Sequence, residues 1–156
     1  MNEYAIARAL HVLGVVLWIG GVAFVTAVLL PAVRRFKEKD EQVAFFEDVE
    51  SRFARQARYS TLLTGASGFW MVWRYDMWSR FAEPSFWWMH AMVAVWAVFT
   101  LMLFVLEPLL LHRWFMKRAS RDAAGTFALI ERMHWLLLAL SLVTVMGAAA
   151  GSHGGF

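Results

Sequence analysis

The feature that most constrains this chain is a set of long apolar runs, the first of which has 25 residues without a charge at positions 9–33. About 20 apolar residues in a helix cross the hydrocarbon core of a bilayer. Similar runs cover 86–112, interrupted only by Glu107, and 126–150, which has no charge after Arg132. Since 60% of the residues are hydrophobic and only 17% are charged, the sequence predicts an integral membrane protein.

The segment 57–74 is a shorter and more polar candidate for a further span. Only residues 59–73 are free of charge. A polar span is tolerated inside a bundle when flanking arginines, here Arg58 and Arg74, reach the interfaces. The segment also carries four hydroxyl side chains, Ser60, Thr61, Thr64 and Ser67.

Four spans joined by connections of moderate length predict an all-α, integral membrane four-helix bundle with up-down-up-down topology. We expect one transmembrane domain covering 1–156, with cytoplasmic connections at 34–56 and 113–125. Val43, Phe46, Val49 and Phe53 recur at helical spacing, so the first connection is expected to be a cytoplasmic extension or an interfacial helix. The expected spans are about 4–33, 57–74, 86–112 and 126–150.

The distribution of lysine and arginine predicts the orientation. Seven of these residues lie in 34–58 and five in 113–132, against two in 74–85 and Arg8 alone before the first span. The positive-inside rule then places both termini in the periplasm of a multi-pass protein of the bacterial inner (plasma) membrane. Because topology alone requires basic loops, the net charge of +3 does not indicate a nucleic-acid partner, and membrane lipid is the expected surrounding.

Four histidines lie inside the apolar runs, where titratable groups are costly and need an explanation. His90 and His112 are 22 positions apart on one span, about 33 Å at 1.5 Å per residue, so they belong to different layers. The predicted topology places His11 beside His90 in the outer layer. It places His134 beside His112 in the cytoplasmic layer.

The helical phase of these histidines predicts that all four face the bundle interior. At 100° per residue, His90 and His112 differ by about 40° and share a face with Ala94, Ala97, Leu101, Phe104 and Pro108. The last span continues from His134 along Leu138, Ser141, Val145 and Ala148. The first span carries the stripe His11, Gly14, Trp18 and Gly21, in which glycine lets a flat macrocycle or another helix come close.

A pair of inward histidines on facing helices is the ligand set of a b-type haem. Cysteine is absent, which excludes thiolate sites, iron–sulfur clusters and covalent c-type haem. Gly14, Trp18 and Gly21 would line one or two haems held by the histidines. Basic side chains at the membrane edges would serve the propionates or act as ordinary topology charges: Arg8, Arg113 and Arg132.

Other groups leave alternatives open. Met89 and Met92 flank His90, and a set of histidine and methionine suits Cu(I). Glu107 can relay protons or pair with a cytoplasm-side arginine, and Pro108 is expected to kink the helix and free a backbone carbonyl. Histidines in membranes also bond between helices, and His153 is expected in a solvated tail.

Residues 9–21, Ala-Leu-His-Val-Leu-Gly-Val-Val-Leu-Trp-Ile-Gly-Gly, resemble the first-helix signature of the copper resistance protein D superfamily, which includes small CopD-like membrane proteins. They are also similar to the first helix of the bacterial four-helix membrane protoporphyrinogen IX oxidase, a haem-b protein. Weaker similarity continues through 58–74 and 87–104. The second resemblance implies that His11 is a functional haem ligand. Trp88 and His90 resemble its Trp-x-His-x-Lys pattern, in which Met92 replaces the lysine.

These observations lead to one principal expectation and three alternatives. The principal one is a membrane b-type cytochrome that transfers electrons within or across the membrane through one or two haems. A quinone, a redox protein or a second copy of the chain is a candidate partner. The alternatives are a haem-dependent enzyme similar to protoporphyrinogen oxidase, a copper-handling CopD-like protein, and an accessory subunit whose histidines only bond between helices.

Overall fold

The computed structural model describes residues 2–154, apart from the side chain of His112, and within that range the chain is helical and contains no strand. Two π-helical segments, π1 (Val25–Leu29) and π2 (Met102–Leu111), continue α1 into α2 and α4 into α5. Two short 3-10 turns, Met77–Ala82 and Pro84–Phe86, precede α4. The helices are α1 (Glu3–Phe24), α2 (Leu30–Phe36), α3 (Gln42–Arg74), α4 (Trp87–Leu101), α5 (His112–Ala119) and α6 (Ala123–Ser152).

Three continuous helices in the described range are long and apolar enough to cross a membrane: Glu3–Phe36, Pro84–Leu111 and Ala123–Ser152. They coincide with three of the predicted spans and indicate a membrane protein. Helix α3, which contains the predicted span 57–74, does not meet the same test. Charged residues fill its first half and hydroxyl side chains interrupt its second half.

Helix α3 is one 33-residue helix that joins the predicted connection to the predicted span. Its first half is therefore helical, as the apolar spacing in 34–56 predicts. Val43 and Phe46 are buried in a core cluster with Val33, Phe127 and Ile130. Burial of these side chains stabilises the extension against the ends of α2 and α6.

Helices α1 and α3 pack against each other more extensively than any other pair. Their contacts run in opposite directions along the two helices. Near the start of α1, His11 contacts Thr64, and further along α1 the carbonyl of Leu17 accepts a hydrogen bond from Gln56. The pair is therefore antiparallel.

The remaining long helices also meet in antiparallel pairs. The indole of Trp96 on α4 donates to the carbonyl of Thr61, and Arg58, one turn earlier on α3, donates to the carbonyl of Leu103 on π2. Between α4 and α6, the ring of Trp88 lies against Gly151. At the other end of that contact, a core cluster joins Phe99 and Leu138 with Trp18 of α1.

The expected core face of the third span is wrong, because the structure places that face outward. The residues buried on this span are Trp88, Met89, Phe99 and Leu103. Large side chains, Trp88 and Phe99 among them, fill the space between the helices. The helical phase also changes after Leu101, because the π-helix π2 bonds residue i to i+5 and has more residues per turn. The outward residues are Ala94, Ala97, Leu101, Phe104 and Pro108.

Candidate functional sites

His11 lies on the face of α1 that packs against α3, and it is half-buried. Its Nδ1 is 2.9 Å from the carbonyl oxygen of Thr64, and Ser67 Oγ lies 3.4 Å from the same nitrogen. A carbonyl oxygen only accepts hydrogen bonds, so Nδ1 carries the hydrogen and donates it. Nε2 is then the unprotonated nitrogen. A histidine bonded in this way through Nδ1 is prepared to act as a metal ligand through Nε2.

Glycines allow the His11 ring to fit between α1 and α3. A Cβ added at Gly68 would lie 3.0 Å from His11 Cε1. A Cβ added at Gly14 would overlap the side chain of Thr64 and lie 3.1 Å from the carbonyl oxygen of Ser60. Real Cβ atoms do not come as close to a neighbour as the added atom at position 14 comes to Thr64. Glycine at this position therefore permits the close approach of the two backbones.

The stripe of α1 that was expected to line a haem instead packs against protein. Gly14 faces α3, and Gly21 faces the ring of Phe53. Trp18 is buried and meets Phe99 edge to face, with ring centroids 4.9 Å apart. The inward orientation of this stripe is confirmed, and the element that glycine admits is another helix.

His90 does not face the interior. It is exposed, and its ring meets Phe81 edge to face at a centroid distance of 5.3 Å. The inward positions nearby are taken by Trp88 and Met89, which pack with Val72. His11 therefore faces α3 while His90 faces the 3-10 turn, so one chain does not bring this pair together. Met89 and His90 also diverge, which separates two members of the predicted copper set.

The inner histidine layer is only partly described. His134 donates from Nδ1 to the carbonyl of Ile130 at 2.9 Å, within its own helix, and its ring meets the edge of Phe46. The side chain of His112 lies outside the described residues. His134 lines a cavity of about 80 Å³, whereas pockets for organic ligands measure about 300–1,000 Å³. The residues there do not fit a haem.

The remaining predicted residues lie at the ends of the molecule. Arg8, Arg113 and Arg132 are exposed, as interface charges are. His153 is exposed and bonds to the carbonyl of Ala149, next to the end of α6. Among the described residues there is no group of three or more His, Asp or Glu side chains placed to hold a metal ion.

An ion pair joins Arg58 of α3 to Glu107 of π2, as the pairing interpretation of Glu107 predicts. Arg58 also bonds the backbone of π2. Its Nε donates to the carbonyl of Leu103 at 2.9 Å. In the π register, the group that would bond this carbonyl is the N–H of residue 108, which proline lacks. Arg58 therefore satisfies the carbonyl that Pro108 frees.

The cavity beside this ion pair contains a group that the sequence reasoning missed. Glu50 lines it together with Glu47, Glu107 and His134. Burial, followed by the negative charges of Glu107 and Glu47, raises the pKa of Glu50 to about 7, against a smaller lowering by Arg58. The sequence does carry a signal that Glu50 is buried, because Glu50 lies four residues after Phe46 and so shares the apolar face of the extension.

No protein-family model matches the sequence, and no curated protein and no solved structure matches it significantly. The fold and the side chains define a helical membrane protein in which a hydrogen bond from Nδ1 to the Thr64 carbonyl holds His11 between α1 and α3. They also define a polar cavity between the helices.

Proposed function

We propose that the four long helices form an up-down-up-down bundle in the bacterial inner membrane, with α3 as the fourth span and both termini in the periplasm. The antiparallel contacts and the basic connections support this arrangement. Three of the four hydroxyls in 57–74 support it too, because Ser60, Thr64 and Ser67 each donate to a carbonyl of their own helix. Such bonds satisfy polar groups inside an apolar surrounding.

We propose that the protein is a membrane b-type cytochrome that binds one haem through Nε2 of His11. The observation that carries this proposal is the 2.9 Å bond from Nδ1 to the Thr64 carbonyl, which fixes the tautomer of a proximal ligand. Leu10 and Val12, next to His11 in the chain, are exposed and apolar, so the surroundings of the ring suit an apolar macrocycle inside the membrane. The haem would supply one-electron chemistry, and a quinone or a redox protein would be the partner.

The structure favours one haem over two. His11 and His90 do not face each other within one chain, and the cavity at His134 is too small for a macrocycle. The second axial position is therefore open or is filled from outside the chain. His11 alone carries the ligand role in this proposal.

The experiment is a reduced-minus-oxidised spectrum of protein purified after haem-replete expression, with pyridine-haem quantification. We expect b-type bands and one haem per chain. His11→Ala and His11→Gln should remove the haem, while His153→Ala, in the exposed tail, should retain it. The absence of b-type bands, or their persistence in both His11 variants, would contradict the proposal.

An enzyme of porphyrin oxidation is a second candidate. Trp88, which resembles part of that family's third-helix pattern, is buried and its indole N–H has no partner among the described residues. A substrate with acceptor oxygens would satisfy it. Complementation of a strain that lacks protoporphyrinogen oxidase discriminates this candidate, and failure by an expressed, haem-loaded protein would reject it. Copper handling has less support, because Met89 and His90 lie on different faces of α4.

A further inference from the structure

A polar cavity lies where α3, π2 and α6 meet, at the end of the bundle that the basic connections place in the cytoplasm. Its volume is about 80 Å³. One water needs about 10–15 Å³ of such space and two to four polar partners, so a small cluster of waters fits. The polar partners come from several elements: Glu47 and Glu50 of α3, Glu107 of π2 and His134 of α6.

Trp18 gives an independent indication that the cavity holds a ligand with acceptor atoms. It lines the cavity from α1, is only 3% exposed, and its indole N–H has no partner among the described residues. A buried donor without a partner costs about 1–3 kcal/mol. Water is an acceptor of the right size to remove this cost.

Several charged groups surround the cavity. The guanidinium of Arg58 acts on Glu50, and it is engaged by the carboxylate of Glu107 and by the Leu103 carbonyl. Glu47 and Glu107 both act on Glu50 with negative charge. Among the described residues, α5 lines the cavity with Phe115 and α1 lines it with Trp18 and Val22, which carry no charge. A proton bound by Glu50 reduces the repulsion that Glu47 and Glu107 exert on its carboxylate.

We propose that this cavity is a hydrated proton-binding site, in which the carboxylate of Glu50 takes up a proton from bound water beside the fixed ion pair of Arg58 and Glu107. The step forms an O–H bond on Glu50, and the water is restored by a proton from the aqueous side. Release reverses the step. The ion pair with Arg58 holds Glu107 beside the cavity that Glu50 lines.

The raised pKa of Glu50, near 7, supports the proposal because both protonation states are then populated at neutral pH. A group of this kind exchanges protons without a large energetic cost in either direction. The proposal does not depend on haem binding, and it is tested without haem.

Infrared difference spectra recorded while the pH of the full-length protein in lipid nanodiscs is stepped from 5 to 9 test this site. We expect the carbonyl band of a protonated carboxylic acid to disappear with a midpoint near 7 and to shift in D2O. Glu50→Gln should lose the band, and Glu38→Gln, at an exposed position, should keep it. Glu107→Gln should lower the midpoint, since one negative charge is removed.

If Glu50→Gln does not fold, the wild-type spectrum alone still tests the proposed proton-binding site. Absence of any carboxylic acid band that titrates near neutral pH overturns the proposal. Persistence of the band in a folded Glu50→Gln variant also overturns it. An unchanged midpoint in Glu107→Gln overturns the placement of Glu50 beside that carboxylate.

Discussion

Pro108 and Glu107 place two unfavourable groups next to each other in an apolar span. The proline leaves the Leu103 carbonyl without its helical donor, and the glutamate brings a charge. The guanidinium of Arg58 binds both groups, because it donates to the Leu103 carbonyl and pairs with the carboxylate of Glu107. An arginine is suited to this because it has five donors in a fixed plane and keeps its charge.

Removing Arg58 alone should therefore lower the free energy of unfolding more than removing Arg58 and Glu107 together. We expect Arg58→Met to lower the free energy of unfolding by about 2–3 kcal/mol, because a carboxylate and a carbonyl lose their partner. The double variant Arg58→Met with Glu107→Gln should lose less than the sum of the single variants. The side chains remain 30% and 24% exposed, which moderates the effect. SDS unfolding of the four proteins measures the coupling, and strict additivity would contradict the pairing.

Glu50 should make stability depend on pH. Its pKa in the folded protein is raised above the ordinary value of 4.5 to about 7, so the folded protein binds the proton more tightly than the unfolded chain does. The free energy of unfolding should fall as the pH rises from about 5 to 8, by about 1–3 kcal/mol for a half-buried group. Thermal unfolding across this range should show a flatter profile for Glu50→Gln than for wild type and Glu38→Gln. Parallel pH profiles for wild type and Glu50→Gln would contradict this prediction.

At the scale of elements, the α1–α3 contact depends on where glycine lies along α1. An alanine at position 14 would meet the Ser60 carbonyl at 3.1 Å and overlap Thr64, whereas one at position 20 has nothing within 4 Å. We expect Gly14→Ala to destabilise by about 1–3 kcal/mol and Gly20→Ala to gain up to about 1 kcal/mol. Unfolding measured for both variants checks this, and equal effects would show that the two helices do not approach so closely.

The apolar runs predict the three spanning helices because hydropathy and length are local properties of the chain. Which face of a helix is buried depends on its neighbours in the fold, and for this property some predictions differ from the structure. The stripe through His11 and Trp18 is correct because α1 is α-helical throughout. The face through His90 is wrong because large side chains such as Trp88 and Phe99 occupy the interior of α4. The sequence does not predict the site at Glu50, because the cavity that Glu50 lines also needs residues of π2 and α6.

For the whole molecule, the topology depends on whether α3 crosses the membrane. The three apolar helices alone leave an odd number of crossings, which would place the termini on opposite sides. Two observations favour a fourth crossing: α3 pairs antiparallel with α1 and α4, and three of the four hydroxyls in 57–74 donate to carbonyls of their own helix. The basic residues agree, since 12 of 15 lie in 34–58 and 113–132, which are the two predicted cytoplasmic connections with the adjoining span ends.

The chain contains no cysteine, so single cysteines report topology without background. We expect Ser85→Cys and Ser152→Cys, both exposed, to react with a membrane-impermeant maleimide in intact spheroplasts. Ser51→Cys and Ser120→Cys, also exposed, should react only after permeabilisation. Full labelling in permeabilised cells is the control for reactivity. Positions 51 and 85 flank the apolar half of α3, so their labelling from the same side would show that α3 does not cross and that the bundle has three spans.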